Sequence, residues 1–172
     1  MKIIELCLIP ILLVVVITSA GMARSRTATS CVSATSAWSS MQEKTIFLSD
    51  DHGDTIQLPV RVADESRELA AGYQFICPNI IRQTAVLFDF GRPFTSRFHM
   101  GNVFAPLDIA FFDSAGNLVK IAHMSAEPPG FSGRKKYYSA GAPYRYALEV
   151  PKGYFAIRFP DGRLRFDPAS VR

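Results

Sequence analysis

Beyond residue 44, apolar residues recur at every second position over much of the chain. Ile56, Leu58, Val60 and Val62 alternate with polar neighbours in TIQLPVRVA, the period of a half-buried strand. Pro59 lies inside this strand, so it belongs at an edge or a bulge. TIFLS (45–49) is a shorter strand before it, across a DDHGD turn. Asp64 is placed to cap a short helix over ESRELAAGY, which Gly72 stops. A loop over 74–83 holds Cys77, Pro78 and Asn79. AVLFDF (85–90) reads as a buried strand and Gly91-Arg92-Pro93 as a turn. SRFHMGNVF (96–104) is an extended segment. PLDIAFFD and LVKIAHM form a β-hairpin across SAGN. YRYALEVP alternates Tyr146, Leu148 and Val150. FAIRF and RLRFD straddle Pro160-Asp161-Gly162 as a second hairpin. These elements predict a mainly β domain: a small curled antiparallel sheet or barrel of about seven strands with one short helix.

The segment before this domain has a different pattern. Met1-Lys2 precedes an unbroken apolar run, Leu6 to Ala20, that ends in the small residues Thr18-Ser19-Ala20. This is the layout of a secretory signal peptide. The predicted organisation is a leader over 1–20, a flexible Ser/Thr/Ala-rich linker over 21–43 and one β-rich domain over 44–172. Cleavage would leave a periplasmic or secreted protein beginning near Gly21. Retention would leave a membrane anchor over residues 6–23. Cys7 lies in the leader. Cys31 and Cys77 are free to pair in an oxidising compartment, although their placement favours two unpaired thiols.

The chain of 172 residues has a net charge of +4. That charge is dispersed and argues against a nucleic-acid partner. The notable polar residue is Asp108, set among Leu107, Ile109 and Phe111, where a bare carboxylate is costly. With His99, Asn102 and Glu149 it forms a polar set that would bind a ligand or hold loop backbone by hydrogen bonds. His99 and His123 flank the hairpin, where with Asp108 they would make a metal site or an acid–base pair. The His spacing matches no zinc motif, and no metal or cofactor is called for. Met100, Met124 and the Phe residues suit a core or an apolar pocket. The loop 126–143, rich in Pro and Gly, carries Arg134, Lys135, Lys136, Tyr137 and Tyr138. These residues suit contact with an envelope or membrane protein partner, or a solvated loop. There is no Gly-x-Ser-x-Gly elbow and no phosphate-binding loop.

Several motifs occur together in a fixed order. They are Arg67-Glu68-Leu69-Ala70-Ala71-Gly72, Leu87-Phe88-Asp89-Phe90, Met100-Gly101-Asn102, Pro106-Leu107-Asp108-Ile109-Ala110-Phe111 and Leu148-Glu149-Val150-Pro151-Lys152-Gly153. Over residues 55–153 the chain resembles domain-of-unknown-function family number 192. The resemblance implies a compact, mostly β domain, often exported from bacteria, with no accepted reaction. The chain departs from the family where His99, Gly101 and Val103 replace the usual Trp, Lys and Thr. The expected function is an exported non-catalytic binding or accessory module. The alternatives are a small hydrolase or transferase using His99 and Asp108, and a membrane-anchored accessory subunit.

Overall fold

A computed structural model describes residues 30–171. Helix α1 (Ser36–Ser40) leads into the antiparallel pair β1 (Gln42–Ser49) and β2 (Thr55–Ala63). A crossover containing α2 (Ser66–Ala71) and α3 (Pro78–Ile81) then returns as β3 (Val86–Phe94), parallel to β2. Next come β4 (Arg97–His99), the hairpin β5 (Leu107–Phe112) and β6 (Leu118–Met124), and β7 (Tyr137–Ser139), which pairs with β4. β8 (Tyr144–Pro151) inserts between β5 and β3. The chain closes with α4 (Tyr154–Arg158), β9 (Arg165–Phe166) and a 3-10 turn, Pro168–Val171.

The main sheet runs β6-β5-β8-β3-β2-β1-β9 and stays open, with β6 and β9 at its edges. The domain is mainly β, as the strand periods predict. The sheet is mixed rather than wholly antiparallel, because β2 and β3 are parallel. A parallel pair requires a crossover, and this one supplies two of the four short α-helices among the described residues, where the sequence predicts one. Pro59 faces Thr45 on β1, while β3 pairs only with Arg61–Ala63. The proline therefore sits where one side of β2 has no neighbour.

Both faces of the sheet are covered. All six residues of β5 are buried. Alternation sends Leu107, Ile109, Phe111 and Ala147 into one core with Tyr73, Met100 and Tyr144. Ala110, Phe112, Leu148 and Val150 enter the other with Phe155, Leu164 and Phe166. Each large side chain so buried contributes about 1.5–3 kcal/mol of transfer free energy.

Four local readings change. Gly91-Arg92-Pro93 is no turn: β3 runs on to Phe94 after a register break beyond Asp89. FAIRF is helix α4, not a hairpin arm. Phe155 and Phe159, four apart, fall on one helical face and both are buried. Only Arg165 and Phe166 of RLRFD pair with a strand, β1. Glu65 rather than Asp64 caps α2, and the Glu68 carboxylate accepts the backbone N–H groups of both, each at 3.4 Å.

The expected leader and residues 21–29 lie outside the described residues. Among the described residues no helix is long and apolar enough to cross a membrane. Residues 30–43 are not a free linker. Thr35 Oγ1 accepts the Trp38 N–H to start α1. Trp38 is buried against Tyr73 at 5.3 Å, with the Arg61 guanidinium 5.1 Å from its ring centroid. Val32 bridges to Ile76, and Cys31 forms a disulfide with Cys77. The two cysteines, expected as separate thiols, thus fasten the N-terminal segment to the crossover. Replacing both with Ser should lower stability by about 2–5 kcal/mol, read as the shift in urea midpoint between oxidised wild type and Cys31→Ser/Cys77→Ser. Coincident midpoints would show that the bridge adds nothing to packing of the segment.

Candidate functional site

A concavity lies where the end of α2 overhangs β3, β4 and β8. It is a cleft of about 630 Å³. Leu69, Ala70, Gly72, Tyr73 and Gln74 form the overhanging wall. Phe88, Phe90 and Phe94 from β3, Phe98 from β4 and Tyr144 from β8 form an aromatic wall. These rings brace one another. Phe90 stacks on Phe94 at 4.7 Å and meets Tyr144 edge-on at 5.5 Å, while Phe98 meets Phe88 edge-on at 5.2 Å. Arg92, Arg97 and His99 add polar groups.

Glu149 is the one acidic side chain among the described residues that line this cleft. It stands on β8 opposite Ile109 and Val86, on the face of the first core, and is 5% exposed. Among the described residues no hydrogen bond holds its carboxyl, and burial pushes its pKa from 4.5 up to about 8. At neutral pH it is chiefly a neutral acid, able to donate its O–H into the cleft. Gly72 beside it makes room for the Phe88 ring. The glycine has φ +46°, and a Cβ there would lie 3.1 Å from the Phe88 ring and 3.8 Å from a Glu149 oxygen.

The polar set expected from sequence is divided. Asp108, fully buried on the neighbouring strand, aligns with Val150 and His123 and so points to the opposite face from Glu149. It accepts the Gly153 N–H at 2.7 Å and lies 2.7 Å from His123 Nδ1. Its role is to hold the turn after β8. Asn102, with φ +65°, donates its N–H to the Glu127 carbonyl and accepts from Phe75 N–H. Its side-chain amide donates to Gln74 Oε1 at 3.2 Å. It pins the crossover to the segment after β4. His99 accepts the Gly101 N–H through Nδ1 and separates the cleft from a smaller hollow beside Glu127 and Phe131. His99 and Glu149 therefore share a site, and His99 and Asp108 do not. Met100 and Met124 are core residues.

The loop 126–143 is anchored at both ends. Buried Glu127 accepts the Lys136 N–H, and Tyr138 packs on the core with its hydroxyl accepting the Ser125 N–H. Arg134, Lys135, Lys136 and Tyr137 remain exposed.

The model of DUF192, described as an uncharacterized ACR, matches residues 47–159. The chain belongs to this family. Among curated proteins, none matches it. Two solved structures resemble this DUF192 domain. One, from Sinorhizobium meliloti 1021 and described as a candidate transcription regulator, is 24% identical with a TM-score of 0.65. That match covers 76% of this chain and 96% of the other. The second, a protein of unknown function from Novosphingobium aromaticivorans DSM 12444, is 22% identical with a TM-score of 0.63. It covers 83% and 98%. At these identities the likeness is one of fold.

Within this DUF192 domain the sequence reading offered the phenylalanines only collectively as a core or pocket, and missed Tyr73, Arg92 and Arg97 as cleft residues. The available signal was the alternation of Phe88 and Phe90 leading into Arg92 and Phe94, which disappears once Gly91–Pro93 is taken as a turn. Two outcomes follow from the two acids. Asp108→Ala should cost about 1–3 kcal/mol by stranding the buried Gly153 N–H, while His123→Ala, at a side chain 68% exposed, should cost little. Thermal melts of the pair check this, and equal melting points would remove Asp108 from its structural role. Glu149 has the opposite character. Its folded pKa lies above its unfolded value, so the proton it keeps stabilises the fold fully below about pH 4.5, and that contribution is lost as pH rises to about 8. Relative to Glu149→Gln, wild type should lose up to about 1.4 kcal/mol per pH unit across that window. Parallel stability curves for the two proteins would refute the burial argument.

Proposed function

We propose that the protein is an exported, non-catalytic module that binds a small ligand with an apolar body in the cleft between α2 and the β3–β4 arm. The observation that carries this reading is the braced aromatic wall facing a buried, unbonded Glu149. Small-molecule sites share this make-up, with mostly apolar walls and a few convergent polar groups. Ser66, Ser96 and His99 line the cleft, but they are not joined as a nucleophile and its base. Among the described residues no Ser or Thr hydroxyl is hydrogen-bonded to a His, and Cys31 and Cys77 are bonded to each other. The disulfide supports the export part of the proposal, since such bridges persist in oxidising compartments. The exposed run Arg134–Lys136 is the surface this reading assigns to a partner in the envelope.

The test uses N-phenyl-1-naphthylamine, a neutral apolar fluorophore. Its titration should be saturable, with one site per chain. Ala70 is exposed on α2 and lines the cleft, so Ala70→Phe fills the space from a helical position that tolerates the ring. That variant should melt with wild type and bind the probe at least about tenfold more weakly. Absent saturation, or undiminished binding by the folded variant, would reject the cleft as the site.

A further inference from the structure

The charges around the cleft are one-sided. Arg92 and Arg97 both line it and both are exposed, one on β3 and one on β4. Among the described residues neither is paired with a carboxylate, in contrast to Arg61, Arg145 and Arg163. Arg97 instead lies over the Tyr137 ring, 4.8 Å from its centroid. The one acid in the cleft, Glu149, is nearly inaccessible and has no basic partner among the described residues. The positive groups are thus exposed, while the inner ends of the two walls, Tyr73 and Phe88, are buried and with Glu149, an acid that burial keeps protonated at neutral pH, make the floor.

We infer that the cleft takes an amphipathic organic anion, its apolar body against the phenylalanines and its carboxylate or similar head group at Arg92 and Arg97. This inference rests on the cleft being a binding site. Unpaired guanidiniums supply charge-assisted, bidentate donors for an oxyanion. The aromatic wall receives the apolar part. The orientation follows from the floor. A carboxylate head beside Glu149 would share a dry site with a second acid, and one of the two would have to stay protonated. At the arginines the head keeps contact with water. A cationic amphiphile meets the reverse situation, two unpaired positive charges at the entrance.

Competition against N-phenyl-1-naphthylamine at pH 7 tests this with three ten-carbon probes: decanoate, decanol and decyltrimethylammonium. Decanoate should displace the fluorophore at a concentration at least about tenfold below that of decanol, with the cation weakest. Arg92→Gln/Arg97→Gln, checked for an unchanged circular dichroism spectrum, should bring decanoate and decanol to the same level. Should the double variant lose its fold, Arg92→Gln alone carries the test, with about a threefold loss for decanoate and none for decanol. Glu149→Gln should keep the preference for decanoate. Equal displacement by decanoate and decanol in wild type would overturn the anion inference and leave the apolar cleft standing. Failure of the fluorophore itself to bind would instead overturn the cleft reading. A preference that survives loss of the arginines but disappears in Glu149→Gln would place the head group at the floor and overturn the orientation argued here.

Discussion

Burial on both faces of β5, and of the parts of β8 and β3 beside it (146–150 and 86–88), is the constraint from which the rest follows. A strand covered on one side can turn polar residues to water, but these strands cannot. Any acid placed here must find donors or stay protonated. Asp108 and Glu149 are on adjacent strands, one register position apart, and strict alternation sends them to opposite faces. On one face the turn at Gly153 offers a backbone donor and His123 a ring nitrogen, so Asp108 is satisfied. On the other, nothing among the described residues bonds the carboxyl, and Glu149 is left facing a cleft. Two similar residues in similar sequence surroundings thus acquire different chemistry from the parity of their positions.

The strands were legible because period-two alternation and short apolar runs report burial directly. The hydrogen-bonding role of Asp108 was legible too, since a carboxylate among Leu107, Ile109 and Phe111 has few other fates. What could not be read were relations set by tertiary contact. The parallel β2–β3 pairing depends on where the crossover lands, and neither strand's pattern records that. FAIRF has a strand-like pattern in which Phe155, Ile157 and Phe159 would share a face, yet as a helix it buries the two phenylalanines and leaves Ile157 exposed. Ser30–Glu43 looks like linker by composition, while Trp38, Met41 and Cys31 each carry a contact that composition does not weigh. The His99–Asp108 pairing fails for the same reason. Proximity along the chain says nothing about which face of a fully covered sheet a residue meets.

The cleft has two walls of different origin. The aromatic wall is carried by β3 across its register break and joined by Phe98 of β4 and Tyr144 of β8, with β4 paired in turn to β7. The overhanging wall is the end of α2, set by the Gly72 conformation and by Asn102 bonding to Gln74. The disulfide adds a third tie, joining the segment before α1 to the crossover that contains α2. The cleft is therefore built on anchored elements, which keeps its shape in the absence of an occupant.

The crossover has a corollary for substitution. The connection that roofs the cleft is the same one that makes β2 and β3 parallel, so the roof cannot be shortened or swapped without re-threading the sheet. The β3–β4 arm carries no such obligation, since its outer residues are exposed and the main sheet is complete without β4. Substitution in this chain is thus channelled: a change in the outer arm bears on the cleft, while a change in the roof bears on folding as well.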